Sequence, residues 1–282
     1  MFTAIGLGYR HIDAAPTDGN EQAVGDAIRR AVDSGRVTRA QLFVSTRTTA
    51  ATLDTATRGS EGDGVGVGGV RSLVLAQMQA LQVSYLDLYV LHAPLASVTM
   101  QTAVWRELEA LHREGLLRAL GVSDFDSYKL NELLAVAGTG TRPSVLLNLW
   151  GIYRRGKQLD NIGFDAERTC LEHGVKLAGY GLLSAYPLAL QPMKDPFVVA
   201  LARERGMSPA EVLIRWCVQS GVPLLLRSTD PGRLTENLAV AAAAAAAAVT
   251  VSGCTEPECL SSDEMAVLTS LNHLIQSPFM KP

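Results

Sequence analysis

What most limits how this chain can fold is its alternation of two kinds of segment. Short β-branched or apolar runs lie at His11–Ala15, Leu42–Arg47, Leu86–His92, Arg118–Ser123, Ser144–Leu149, Lys176–Leu182 and Pro223–Ser228. Between them come amphipathic stretches such as Glu21–Ala31, Val70–Leu81, Ala103–Glu114, Tyr128–Ala137, Ala166–Glu172 and Pro209–Gln219. Strands that are nearly apolar throughout, alternating with helices, predict a parallel sheet covered by those helices. Chemically active side chains gather at the C-terminal ends of the strands: Asp13, Arg47, His92, Ser123 with Asp124, Asn148, Tyr180, and Arg227 with Ser228. A closed barrel brings all such ends to one mouth, whereas an open doubly wound sheet gathers its ligands at one switch point. The expected fold is therefore a parallel (β/α)8 barrel of the TIM type. Seven strands can be read rather than eight, with one turn of helix before His11, so the first strand is expected to be missing or abbreviated. Such a seam leaves strand edges unpaired, which points to a protein partner or self-association there.

The 282 residues match one barrel domain, about 250 residues in typical cases. The expected organisation is a single domain, 1–282, with a loop insertion at 48–69 and an alanine-rich insertion at 239–253. A net charge of −3, from 25 basic and 28 acidic side chains, offers no global field for nucleic acid or anionic lipid. The longest weakly apolar stretch, Leu238–Val251, is mostly alanine and too short to insert in a bilayer. Alanine has the highest helix propensity, so the run Ala241–Ala248 predicts an extended helix, with a low-complexity tether as the alternative. No cysteine pair has C-x-x-C spacing; Cys254 and Cys259 could meet in a loop, and Cys217 sits in a helical pattern that packs a reduced thiol. The opening MFTAIGLGYR has neither a signal peptide's apolar core nor a transit peptide's character, so the cytoplasm is the default location and an organelle the alternative. Gly64–Gly69 spells G-x-G-x-x-G, but no strand precedes it, and a loop without a phosphate role is expected.

Four collinear motifs carry a specific resemblance. They are G-Y-R-H-I-D-A-A from Gly8 with G-N-E-Q-A-V-G from Gly19, L-D-L-Y-V-L-H-A-P from Leu86, G-V-S-D-F from Gly121, and R-S-T from Arg227 with R-L-T-E-N from Arg233. In this order the chain resembles the aldo-keto reductase superfamily, whose members move a hydride from NADPH to a small carbonyl substrate. The resemblance implies a tyrosine proton donor, a lysine that lowers its pKa, an aspartate that holds the lysine, and a histidine that orients the carbonyl. Here the aspartate is Asp13 and the histidine is His92. The tyrosine position holds Asp18 and the lysine position holds Arg47. The resemblance also assigns cofactor contacts to Ser123, Asp124, Asn148 and Tyr180, with Leu147 in place of a glutamine. It assigns the 2′-phosphate of NADP(H) to Arg227, Ser228, Thr229, Arg233 and Asn237.

Asp18 and Arg47 are not conservative replacements. A carboxyl with a reference pKa of about 3.9 is ionised at neutral pH and has no proton to give. Arginine does not release its proton and prefers bidentate pairing with carboxylates. An Asp13–Arg47–Asp18 charge cluster is therefore expected, either as an ion-paired strand end or as a site where Arg47 and His92 still polarise a carbonyl. His92 is read as catalytic, with a packed core histidine as the alternative. For the phosphate segment the alternative is a helix start capped by Ser228 or Thr229. Trp150 and Tyr153 either line a substrate pocket or pack under a loop. Two functions remain in view: a reductase of small aldehydes and ketones, or a catalytically inactive structural or regulatory subunit.

Overall fold

A computed structural model of the chain describes residues 1–49, 52–53, 68–138, 140–155, 166–184, 191–249 and 259–271. It resolves two compact units, Met1–Leu147 with Gly163–Lys176, and Asn148–Ile162 with Leu177–Pro282.

The first unit alternates α1 (Phe2–Leu7), β1 (His11–Asp13), α2 (Glu21–Asp33), β2 (Phe43–Thr48), α3 (Gly68–Ala80), β3 (Leu88–Leu91), α4 (Val98–Arg113), β4 (Leu120–Ser123) and α5 (Ser127–Ala137). It then enters β5 (Val145–Gly151) and includes α6 (Ala166–His173). Strands β1 through β5 pair in sequence order, each with its neighbour in parallel. Residues 1–10 form α1 and its exit turn, so no strand precedes β1 among the described residues. The register explains how the site is built. Cross-strand partners share a face, which groups Asp13 with Ser45, Ser45 with Leu88, Arg47 with Val90, Val90 with Gly121, and Ser123 with Leu147. The opposite face meets the helices: Thr46 reaches Glu21 of α2 and Tyr89 reaches Gln77 of α3. The first set therefore points into the interior. Gly121 belongs to it because a Cβ there would press on Val145 and Leu88 side chains.

The helices dock by periodic burial. In α2 the buried positions Val24, Gly25, Ile28 and Ala31 recur at helical spacing. Gly25 lets α2 close on α3, since a Cβ would run into the Ala80 carbonyl. Below the sheet, Asp87 takes Arg39 Nη2 at 2.8 Å and Arg118 Nη1 at 3.3 Å, while both guanidinium groups lie over the Tyr85 ring. The pair fixes the entry of β3.

The second unit continues β5 into β6 (Arg154–Arg155), which pairs back on it antiparallel. It also holds β7 (Lys176–Tyr180), α7 (Pro196–Glu204), α8 (Pro209–Gln219), β8 (Leu224–Leu225), α9 (Pro231–Val249) and α10 (Ser262–Ser270). Strand β7 pairs with β8 in parallel. Trp150 stacks on Trp216 of α8, with ring centroids 6.3 Å apart, at the centre of a core that includes Leu201, Leu213, Val240 and Leu268. The alanine run is helical, as its propensity requires: it completes α9, whose buried positions Asn237, Val240, Ala244 and Ala247 follow a three-four spacing. Of the loop insertion, only 48–49, 52–53 and 68–69 are described; Gly68 and Gly69 begin α3, and Gly64–Val67 lie outside the described residues. Cys217 is a buried free thiol, as its pattern implies, and Cys170 is free. Cys259 is disulfide-bonded, while Cys254 lies outside the described residues.

Candidate active site

Three strand ends of the first unit converge on the interior. Asp13 closes β1, Arg47 stands one residue before the end of β2, and His92 directly follows β3. Arg47 Nη2 pairs with Asp13 Oδ2, and the two side chains are only 11% and 17% exposed. This is a largely desolvated ion pair, so removing either partner strands a charge. Ser45 Oγ donates to Asp13 Oδ1 at 2.7 Å and fixes the carboxylate from the other side. The Arg47 carbonyl is held from behind by Gln77 Nε2 at 3.0 Å.

His92 is half-buried, and its amide donates to the Thr48 carbonyl at 3.0 Å. Burial lowers its pKa below the ordinary histidine value, and the Arg47 charge adds to this against the opposing carboxylates of Asp124 and Asp13. The ring is therefore neutral near pH 7, able to donate one hydrogen bond to a carbonyl oxygen but not to act as a ready acid. Asp18 ends the short 3₁₀ turn Pro16–Asp18 and is exposed. Of the expected three-membered charge cluster, the geometry joins Asp13 with Arg47 and puts Asp18 on the open turn ahead of α2.

Ser123 is fully buried at the end of β4, and its Oγ has no hydrogen-bond partner among the described residues. An unpaired buried hydroxyl costs about 1–3 kcal/mol, a cost that a polar ligand group would remove. Asp124 follows with φ 55, and its amide donates to the Leu147 carbonyl at 3.1 Å. Strand alternation turns Asn148 to the helix side with Leu146 and Trp150, and gives the interior place to Leu147. Leu147, rather than Asn148, therefore shares the face of Ser123.

In the second unit, Tyr180 ends β7 opposite Leu225, half-buried. Gly179 beside it lies against the Trp150 Cβ, so Tyr180 points to the face away from Trp150. Arg227, Thr229 and Arg233 are exposed, Ser228 is half-buried and Asn237 is buried. The helix cap expected of Ser228 or Thr229 is supplied by Asp230: its Oδ1 accepts the Arg233 amide at 2.8 Å, and Ser228 Oγ accepts the Asp230 amide at 3.1 Å. A carboxylate outcompetes a hydroxyl at this position because it also meets the positive end of the helix dipole. Trp150 proves to be a core residue, and the Tyr153 hydroxyl donates to Asp195 Oδ2 at 2.6 Å. Burial raises the Tyr153 pKa, with the Asp195 carboxylate adding to it, so this phenol holds its proton.

The aldo/keto reductase family profile matches residues 1–249. The chain is 32% identical to bovine (Bos taurus) aldo-keto reductase family 1 member A1, over 84% of this chain and 74% of that protein. It is 29% identical to aldo-keto reductase family 4 member C11 of Arabidopsis thaliana, with the same coverage of 84% and 74%. Among solved structures it is similar to an aldo/keto reductase from Brucella melitensis, with TM-score 0.74, 22% identity and coverage of 96% and 86%. It is likewise similar to a Bombyx mori aldo-keto reductase in complex with NADP, with TM-score 0.75, 23% identity and coverage of 98% and 83%. The fold is that of the parallel (β/α)8 barrels. The chain belongs to the aldo/keto reductase family, whose members use NADP(H). No helix among the described residues is long and apolar enough to cross a membrane, and no cluster of metal-ligating side chains occurs among them.

Proposed function

We propose that this protein binds NADP(H) and reduces small aldehydes and ketones at most feebly, because its proton-delivery pair is replaced. The observation that carries this reading is the Asp13–Arg47 ion pair on the interior face, close enough to His92 to influence its charge. A bound nicotinamide would supply hydride; the alkoxide so formed needs a proton from the protein or from water. Arg47 keeps its protons, His92 is neutral, and Asp18 carries a carboxylate where a phenol is needed. What remains is orientation: His92 can donate to the carbonyl oxygen, and the Arg47 charge can stabilise it. Ser123 Oγ, buried and without a partner among the described residues, fits a carboxamide contact. Arg227, in the segment leading to α9, and Arg233, in its first turn, are both exposed and suit recognition of a 2′-phosphate.

One charge-assisted contact is worth about 1.5–3 kcal/mol, so NADPH should bind roughly tenfold or more tightly than NADH. Fluorescence titration of the two cofactors checks this, and Arg227→Ala should weaken NADPH selectively. Equal affinities, or no binding of either at millimolar concentration, would contradict it. A second reading, a structural or regulatory subunit without turnover, is favoured by β1, which pairs on one side only among the described residues.

A further inference from the structure

His11, Ser45, Asp13 and Arg47 form one hydrogen-bonded file along the interior face of β1 and β2. His11 Nε2 lies 2.9 Å from Ser45 Oγ, and Ser45 Oγ lies 2.7 Å from Asp13 Oδ1. The other carboxylate oxygen, Asp13 Oδ2, takes Arg47 Nη2. The direction of the file follows from its chemistry. A carboxylate only accepts, so Ser45 gives its single hydrogen to Asp13 rather than to the Ile12 carbonyl 3.5 Å away. The Ser45 oxygen must then accept from His11, which fixes His11 as the Nε2–H tautomer and leaves Nδ1 to take a proton. Ser45 is fully buried, whereas His11 keeps exposed surface.

We propose that His11 and Ser45 are positioning residues that orient the Asp13 carboxylate, and that a proton taken up at His11 Nδ1 loosens the hold of Asp13 on Arg47. The imidazolium and the guanidinium then compete for one carboxylate through its two oxygens. The groups facing His11 are Asp13 on its own strand, Arg47 on β2, Asp87 ahead of β3, and the Phe43 ring, met edge-on at 4.7 Å. Enclosure by protein is the largest influence and lowers the His11 pKa. Asp13 and Asp87 oppose it, and Arg47 adds to it. The switch therefore acts below the ordinary histidine range: Arg47 is tightly held at neutral pH and released in mild acid. This reading does not require that a cofactor bind.

Nitrogen NMR of the whole protein tests it through two signals. The first is the His11 ring tautomer. The second is proton exchange at Arg47 Nε, which is buried and has no hydrogen-bond partner among the described residues. In the wild type His11 should be the Nε2–H form at neutral pH, and Arg47 Nε exchange, divided by its intrinsic hydroxide-catalysed rate at each pH, should quicken by about threefold or more as His11 gains its proton. Ser45→Ala should mix the tautomers and abolish the step, and Ser45→Thr, which keeps the hydroxyl, should retain both. His11→Gln, which keeps a donor but cannot titrate, should leave Arg47 exchange, taken relative to its intrinsic hydroxide-catalysed rate, flat with pH. An Nδ1–H tautomer in the wild type, or an Arg47 signal that ignores the His11 titration, would overturn the proposal.

Discussion

Arg47 and Asp13 are each tolerable in the interior only because of the other. Breaking a buried pair by removing one member costs about 3–5 kcal/mol, because the remaining charge is left unpaired. Arg47→Met should therefore destabilise the protein by about 3 kcal/mol, read as a lower urea midpoint. Arg47→Met combined with Asp13→Asn should recover most of that loss, since neither side then carries a charge. The identities of these residues were plain in the sequence, and so was their pairing, because a guanidinium next to a carboxylate at neighbouring strand ends has few other partners. The orphaned Ser123 hydroxyl and the file through Ser45 to His11 were not. Hydrogen-bond direction and the absence of a partner depend on three-dimensional neighbours, and no spacing rule records them. The face of Asn148 was missed for a related reason: a one-residue difference in strand register exchanges interior and helix side, and Leu147 and Asn148 are adjacent.

Most elements with strong periodicity were legible to within two or three residues at each end, although α4, expected from Ala103, starts five residues earlier at Val98. Strand β2 was expected at Leu42–Arg47 and runs Phe43–Thr48, and β4 was expected at Arg118–Ser123 and runs Leu120–Ser123. Strand β8 shrinks to Leu224–Leu225 against an expected Pro223–Ser228, because the following turn is organised by Ser228 and Asp230. Helices α7 and α10 were not read from pattern; both are nine residues long, and both are marked by their caps, Asp195 and Ser261. Helix α10 is tied down by a bidentate contact, in which Arg205 Nε and Nη2 donate to the Glu264 carboxylate at 2.7 and 2.5 Å. This lowers the Glu264 pKa from its ordinary 4.5 to about 2. A depressed carboxyl pKa stabilises the fold fully above the ordinary value and progressively less as pH falls toward the depressed one. We expect Arg205→Ala to cost about 1–2 kcal/mol near pH 7. The difference from wild type should vanish between pH 4.5 and about 2, as followed by thermal unfolding across that range.

At the scale of the whole molecule, the barrel class was legible because strand–helix alternation and reactive residues at strand ends are sequence-wide patterns rather than local ones. The short first segment was legible as well: α1 leads directly into β1. Among the described residues β1 pairs only with β2, and an unpaired strand edge is a template for another chain, so we expect concentration-dependent association in light scattering, with a stable monodisperse monomer as the contrary result. The chain belongs to the aldo/keto reductase family, and we propose that Asp18 and Arg47, where the resemblance implies a tyrosine and a lysine, suppress turnover. The direct test compares aldehyde reduction by the wild type, Asp18→Tyr, Arg47→Lys, and the two changes together, with NADPH binding measured for each. All four should bind NADPH, and the wild type should turn over near background. Neither single change should help, since a phenol needs the ammonium to lower its pKa and the ammonium has nothing else to activate. Together they should raise the rate by at least about 10²-fold, the low end of general acid catalysis. Robust wild-type turnover that survives Asp18→Ala would contradict the proposal, and would assign proton delivery to His92 or to water.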